Sequence, residues 1–111
     1  MQFKVTPTFA RALKKLRKKY RKIDQDIAIL RTRLELNPTA GIPLGTGLFK
    51  IRLASSDMTK GKSGALRVVY FWRFYSDMIV LLDLYTKNET ENIPVSELRK
   101  LLEDFLNNNA A

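Results

Sequence analysis

Phe49-Lys50-Ile51-Arg52-Leu53 and Leu66-Arg67-Val68-Val69-Tyr70 decide how this chain is read. In both segments cations alternate with apolar residues. A strand points successive side chains to opposite faces, so Lys50 and Arg52 share one face while Phe49, Ile51 and Leu53 share the other. One face then packs on a core and the other carries fixed positive charge. Between the segments lies a Lys/Gly-rich loop, Lys60-Gly61-Lys62-Ser63-Gly64. Two such strands suit a polyanion.

Working outward, the first segment predicts a strand over about Leu48 to Ala54 and the second a strand over about Ala65 to Phe74. Tyr75-Ser76-Asp77 makes the turn into a fourth strand, about Met78 to Lys87, and so short a turn implies an antiparallel hairpin. Upstream, Met1 to Val5 alternates and reads as a short first strand. A helix starts at Thr6-Pro7 or Thr8, with Phe9, Leu13, Leu16 and Tyr20 at helical spacing and Lys14, Lys15, Arg17, Lys18 and Lys19 on the other side. A second helix runs from about Ile23 and ends at Asn37-Pro38, because a residue before proline leaves the helical region. Thr39 to Gly47, rich in glycine, reads as loop. Pro94 opens a last helix striped with Val95, Leu98, Leu101, Leu102, Phe105 and Leu106, and Asn107 to Ala111 is expected to fray. The predicted order is β-α-α-β-β-β-α over residues 1–111 as a single domain. Its class is α+β, a small antiparallel sheet with an N-terminal helical hairpin, a C-terminal helix, and the helices on one face.

Strand parity assigns the faces. Arg67, Val69, Phe71 and Arg73 oppose the larger apolar set Leu66, Val68, Tyr70, Trp72 and Phe74. In the fourth strand Ile79, Leu81, Asp83, Tyr85 and Lys87 oppose Met78, Val80, Leu82, Leu84 and Thr86. The apolar sets are expected to meet the helices. The open face then gathers Lys50, Arg52, Arg67, Asp83, Tyr85 and Lys87, with Lys60 and Lys62 at the rim. Singly, each reads as an ordinary solvated residue on an open sheet. Together they read differently: Arg52 and Arg67 are expected to be cross-strand neighbours, and like charges held together cost energy unless an anion offsets them. Asp83 is expected to pair with one of those arginines.

Composition narrows the chemistry. The 111 residues carry 20 Lys+Arg against 11 Asp+Glu, a net charge of +9, which favours an anionic partner. There is no Cys, hence no disulfide, thiolate nucleophile or cysteine metal site, and no His, the usual acid/base and commonest metal ligand. No run approaches the ~18 apolar residues of a membrane span, and Met1 to Phe9 lacks an apolar signal core. At this level nucleic acid, an acidic protein and an anionic membrane all remain possible partners; the expectation carried forward is a cytoplasmic protein with no membrane partner, no metal and no cofactor. Gly61-Lys62-Ser63 lacks the spacing of a nucleotide phosphate loop.

Lys50-Ile51-Arg52-Leu53, Gly61-Lys62-Ser63-Gly64-Ala65-Leu66-Arg67-Val68-Val69-Tyr70 and Tyr85-Thr86-Lys87-Asn88-Glu89 resemble, in order and spacing, the motifs of the RelE/ParE toxin superfamily, and within it the HigB-like members. Ala65 stands where the second glycine of a pair is usual. The resemblance covers nearly the whole chain. It implies the toxin of a type II toxin–antitoxin system, held by a cognate antitoxin (acidic or helix-turn-helix) in a hetero-oligomer. In the RelE and HigB branches it implies a ribosome-dependent endoribonuclease that cuts mRNA and so inhibits translation. In the ParE branch it implies a DNA gyrase inhibitor. By position, Lys50, Arg52 and Arg67 match basic residues that act on the scissile phosphate, and Tyr85 and Lys87 fall in the terminal-strand motif. Asn88 stands where RelE carries an arginine, and no tyrosine lies near Pro94.

The expected reaction is attack of a ribose 2′-hydroxyl on the neighbouring phosphate, which needs in-line alignment and stabilisation of the developing charge. Arg67 is the candidate for bidentate binding of the non-bridging oxygens, Lys50 for general base, and Tyr85 for base stacking or proton donation. Lys60 and Lys62 are candidate RNA contacts. Without histidine such a site needs the ribosome to orient the mRNA. Two other readings fit the same residues, the gyrase inhibitor and a basic nucleic-acid-binding module without catalysis.

Overall fold

Residues 1–57, 66–87, 89–90 and 92–109 are described by a computed structural model. The elements in chain order are β1 (Gln2–Val5), α1 (Pro7–Arg17), α2 (Ile23–Leu36), β2 (Ile42–Gly45), β3 (Leu48–Leu53), β4 (Leu66–Trp72), β5 (Met78–Thr86) and α3 (Val95–Asn109). They form an α+β structure with three helices and one five-stranded sheet, ordered β1-β5-β4-β3-β2.

Local chemistry explains the helix starts. Thr6 caps α1 by accepting from Phe9 N at 3.0 Å, with Pro7 at the first position, where its missing N–H costs nothing. The same hydroxyl donates to Leu82 O at 2.7 Å, which fixes α1 to β5. The chain breaks after Arg17 and re-enters a helix at Ile23. Across that break Arg17 donates two bonds to Asp24, at 2.8 and 2.9 Å, and holds the Asp24 carboxyl below the usual carboxylate range. α2 lacks a side-chain cap of its own, but Asp57 Oδ2 accepts from Lys22 N at 3.0 Å and supplies one from the chain beyond β3.

The sheet departs from the expected antiparallel one. β1 runs parallel to β5, pairing Gln2 with Met78 through Val5 with Leu81, so the sheet is mixed. Within the expected Thr39–Gly47 loop lies an edge strand: Ile42 pairs with Lys50 and Pro43 with Phe49. Proline at 43 hid this strand, since it cannot donate to a ladder and is confined to sheet edges. The β2–β3 turn puts Gly45, Thr46 and Gly47 at φ 95°, 53° and 86°, and a Cβ on Gly47 would lie 2.8 Å from the Phe71 ring.

A bulge overturns the parity expected for β5. Tyr70 pairs with Leu81 but Val69 with Asp83, leaving Leu82 as the extra residue. Before the bulge Ile79 and Leu81 face α1 and α2; after it Leu84 does, while Tyr85 joins Val80 and Leu82 on the opposite side. The helices therefore do not share one face. Phe9, Leu16, Tyr20, Ile23, Ile27, Leu30 and Leu34 pack on Ile51, Leu53, Val68, Tyr70 and Leu81. Leu98, Leu102 and Phe105 of α3 pack on Leu48, Val69, Val80, Leu82 and Tyr85 on the other side. α3 runs on to Asn109, through the residues Asn107 to Asn109 expected to fray; 110 and 111 lie outside the described residues. No helix of the described residues is long and apolar enough to cross a membrane.

Candidate active site

The sheet register brings the expected basic residues together. Arg52 pairs directly with Arg67, and Arg67 with Tyr85, so the three form one row across β3, β4 and β5. The next row is Lys50, Val69 and Asp83. Directly paired residues have Cα atoms roughly 4.5–5.5 Å apart, and Lys50 lies two residues from Arg52 on the same face. Lys87 is exposed one residue beyond the end of β5. Lys60 and Lys62 lie outside the described residues.

This face is not open, as parity alone implied. α3 covers its centre, and the consequences differ by residue. Arg52 is exposed and Lys50 half-buried, whereas Arg67 is only 8% exposed. Tyr85 is 4% exposed and packed with Leu98, Leu102 and Phe105, so its ring has no free face for a base. Its hydroxyl is buried and has no hydrogen-bond partner among the described residues. Burial pushes the phenol's pKa up, Arg67 pulls it down and Asp83 adds to the rise. Tyr85 therefore stays protonated at neutral pH beside the Arg67 guanidinium.

Two polar contacts set the remaining geometry. Lys50 Nζ donates to Asn92 Oδ1 at 2.8 Å, so the segment after β5 folds back to reach β3. Asp83, expected beside an arginine, instead accepts from its neighbour Leu84 N at 2.7 Å. That amide needs a partner because β1 ends at the Val5–Leu81 pair, and beyond it no strand among the described residues covers the outer edge of β5. Glu89 does the same for the next outward amide of that edge, accepting from Thr86 N at 3.1 Å. Burial pushes the Asp83 carboxyl up; the Leu84 N–H opposes this, Glu97 and Glu89 add to it, and Arg11 opposes it. Between this edge and α1 lies a groove of about 290 Å³, lined by Thr8, Arg11, Lys15, Asp83, Tyr85 and Glu89.

Residue-type reasoning missed Asn92 and Asp26. Asn92 carried no signal, since a lone amide in a connecting segment is common. Asp26 lies on α2 between Ile23, Ile27 and Leu30 at core spacing, a signal that could have been read. It is 2% exposed and accepts from both the amide and the hydroxyl of Ser56, the amide at 3.0 Å, which anchors the chain leaving β3.

No family model matches the chain.

Proposed function

We propose that this protein is a RelE/HigB-like toxin of a type II toxin–antitoxin system, a ribosome-dependent endoribonuclease that cleaves mRNA. The helical hairpin between β1 and the later strands, and the terminal helix, suit the RelE-like arrangement, with β2 as an added edge strand. One observation carries the functional reading: Arg52 and Arg67 stand in direct register, with Lys50 two residues away on the same face. Two guanidinium-bearing strands held side by side match the geometry a phosphodiester offers.

In the proposed reaction the 2′-oxygen bonds to phosphorus, its proton passing to the Lys50 amine. The P–O5′ bond breaks, giving a 2′,3′-cyclic phosphate and a 5′-hydroxyl. Arg52 and Arg67 neutralise the non-bridging oxygens. Lys87, exposed at the end of β5, donates the proton to the leaving 5′-oxygen. Tyr85 serves as a buried prop beside Arg67, a role its 4% exposure favours over stacking. The partners are the ribosome, its mRNA and a cognate antitoxin. The test is induction in a bacterial host followed by mapping of mRNA 5′ ends. Wild type should accumulate cuts in translated messages and Arg52→Ala should not; intact mRNA during growth arrest rejects the nuclease.

The burial of Arg67 and Tyr85 under α3 favours a second reading, a ParE-like gyrase inhibitor with no need to reach a phosphodiester. It predicts gyrase-dependent DNA breaks with intact mRNA.

A further inference from the structure

At the far end of the sheet from this site, two aromatic rings stand in solvent. Phe74 is 84% exposed and Tyr75 72%, and no other aromatic side chain among the described residues is exposed. They occupy the β4–β5 turn, which closes through Ser76 N donating to Arg73 O at 2.9 Å. The rings meet edge to face, with centroids 5.3 Å apart and planes at 79°. That packing hides little of either ring, as their exposure shows, so π-surface remains on offer.

The surroundings of the pair are fixed and polar. Asp77 is engaged by the N-terminal amine at 3.4 Å, and Gln2 N donates to its carbonyl at 2.9 Å. Arg73 is held against the neighbouring hairpin: it donates to Thr46 O at 3.1 Å and lies 5.8 Å over the Phe71 ring. One carbonyl uses little of a guanidinium's donor capacity. The turn thus presents two aromatic surfaces beside one anchored cation.

We propose that the β4–β5 turn is a second RNA contact, at which Phe74 and Tyr75 stack on unpaired bases while Arg73 holds an adjoining phosphate. It rests on RNA binding by the proposed toxin but not on cleavage. Two rings rimmed by Arg73, Ser76 and Asp77 are a small surface for a protein interface, which buries about 800 Å² per partner. A second copy of this chain would bring the same net +9, which opposes association. Single-stranded RNA offers both π-faces and negative charge. Seven residues along β4 and its turn, at ~3.4 Å each, put Phe74 about 24 Å from Arg67. One strand passing over both places would be gripped at a phosphate and, several nucleotides away, at a base.

The test uses the full chain, a labelled oligoadenylate, and a ribose-phosphate oligomer of equal length lacking bases. Phe74→Ala/Tyr75→Ala, both exposed, should weaken oligoadenylate binding at least about 30-fold, the loss of two stacked bases. It should leave the baseless oligomer unaffected and the slope of log affinity against log salt unchanged, because stacking releases no counterions. Arg73→Ala should flatten that slope by about one. Equal losses on both oligomers, no loss on either, or wild type preferring neither would overturn the assignment. So would a concentration-dependent dimer that the double variant dissolves. Wild type that shows the stacking signature yet cuts no mRNA would remove the nuclease and leave this contact standing. Wild type that cuts mRNA while the double variant binds oligoadenylate normally would do the reverse.

Discussion

Lys50 Nζ and Asn92 Oδ1 meet at 2.8 Å, joining β3 to a segment that follows β5, two strands away across β4. The bond fixes where the ammonium sits relative to Arg52. Asn92→Ala should lower mRNA cleavage about tenfold, the cost of one hydrogen bond to a charged group at ~1.5 kcal/mol. Asn92 is exposed, so the melting temperature should hardly change. Cleavage unchanged in Asn92→Ala would show that this bond does not position Lys50 for the reaction.

Arg52 and Arg67 are paired in register yet differ in burial, and their variants should separate function from stability. Arg52→Ala changes an exposed side chain, so unfolding should stay within ~0.5 kcal/mol of wild type while cleavage falls at least tenfold. Arg67→Ala opens space under α3 beside the Tyr85 phenol and should cost about 1–3 kcal/mol as well as activity. Urea denaturation with cleavage assays on both variants distinguishes the two. If Arg52→Ala cleaves normally, the paired arginines do not form the phosphate site.

How far the sequence could be read depends on which signal each element left. The helical hairpin was legible because Ile23, Ile27, Leu30 and Leu34 keep helical spacing and Asn37-Pro38 stops it. The pairing of Arg52 with Arg67 was expected from two alternating strands that follow one another in the chain. The position of α3 did not, although a clue was present. Val69 and Phe71 sit between Arg67 and Arg73 on the face taken as solvated, and a fully apolar stripe on α3 needed a surface to cover. The bulge at Leu82 left no mark in composition, and one extra residue exchanges every later side chain between faces. That single event split the set expected on one face: Ile79 and Leu81 turn to α1 and α2, while Tyr85 stays in register with Arg67, where α3 buries it. The parallel pairing of β1 is a long-range choice, and periodicity carries no information about it.

Tyr70 closes the route from α2 to the edge strand. Its hydroxyl donates to Pro38 O at 2.7 Å and accepts from Gly41 N at 3.1 Å, and its ring stacks on Phe49 at 5.2 Å. Tyr70→Phe keeps the ring and removes both bonds, which should cost about 1–3 kcal/mol. Gly41→Ala should also destabilise, since its Cβ would lie 2.9 Å from Lys50 O and 3.0 Å from the Tyr70 hydroxyl oxygen. Chemical denaturation checks both; no loss in Tyr70→Phe would show that water replaces the clamp at no cost.

Asp83 and Glu89 accept from amides on the same outer edge of β5 and should respond to pH with opposite signs. Burial raises the Asp83 carboxyl, with Glu97 and Glu89 adding to it. The folded state therefore binds that proton more tightly than the unfolded state, and the contribution to stability falls as pH rises from the ordinary carboxylate value through the folded one. Burial also raises Glu89, but bonds from Thr86 N, the Thr86 hydroxyl and Lys15 outweigh it and leave the carboxyl below its ordinary value. Its stabilisation is complete above the ordinary value and is lost as pH falls through the folded one. At neutral pH Asp83→Asn should melt above wild type, because an amide oxygen can still accept from Leu84 N without the buried charge. Glu89→Gln should melt below it. Both differences should shrink at acid pH, Asp83's once pH lies below the ordinary carboxylate value and Glu89's only once pH has also fallen through its lowered folded value. An Asp83→Asn gain that persists unchanged below the ordinary carboxylate value would mean burial of the charge is not what the variant relieves.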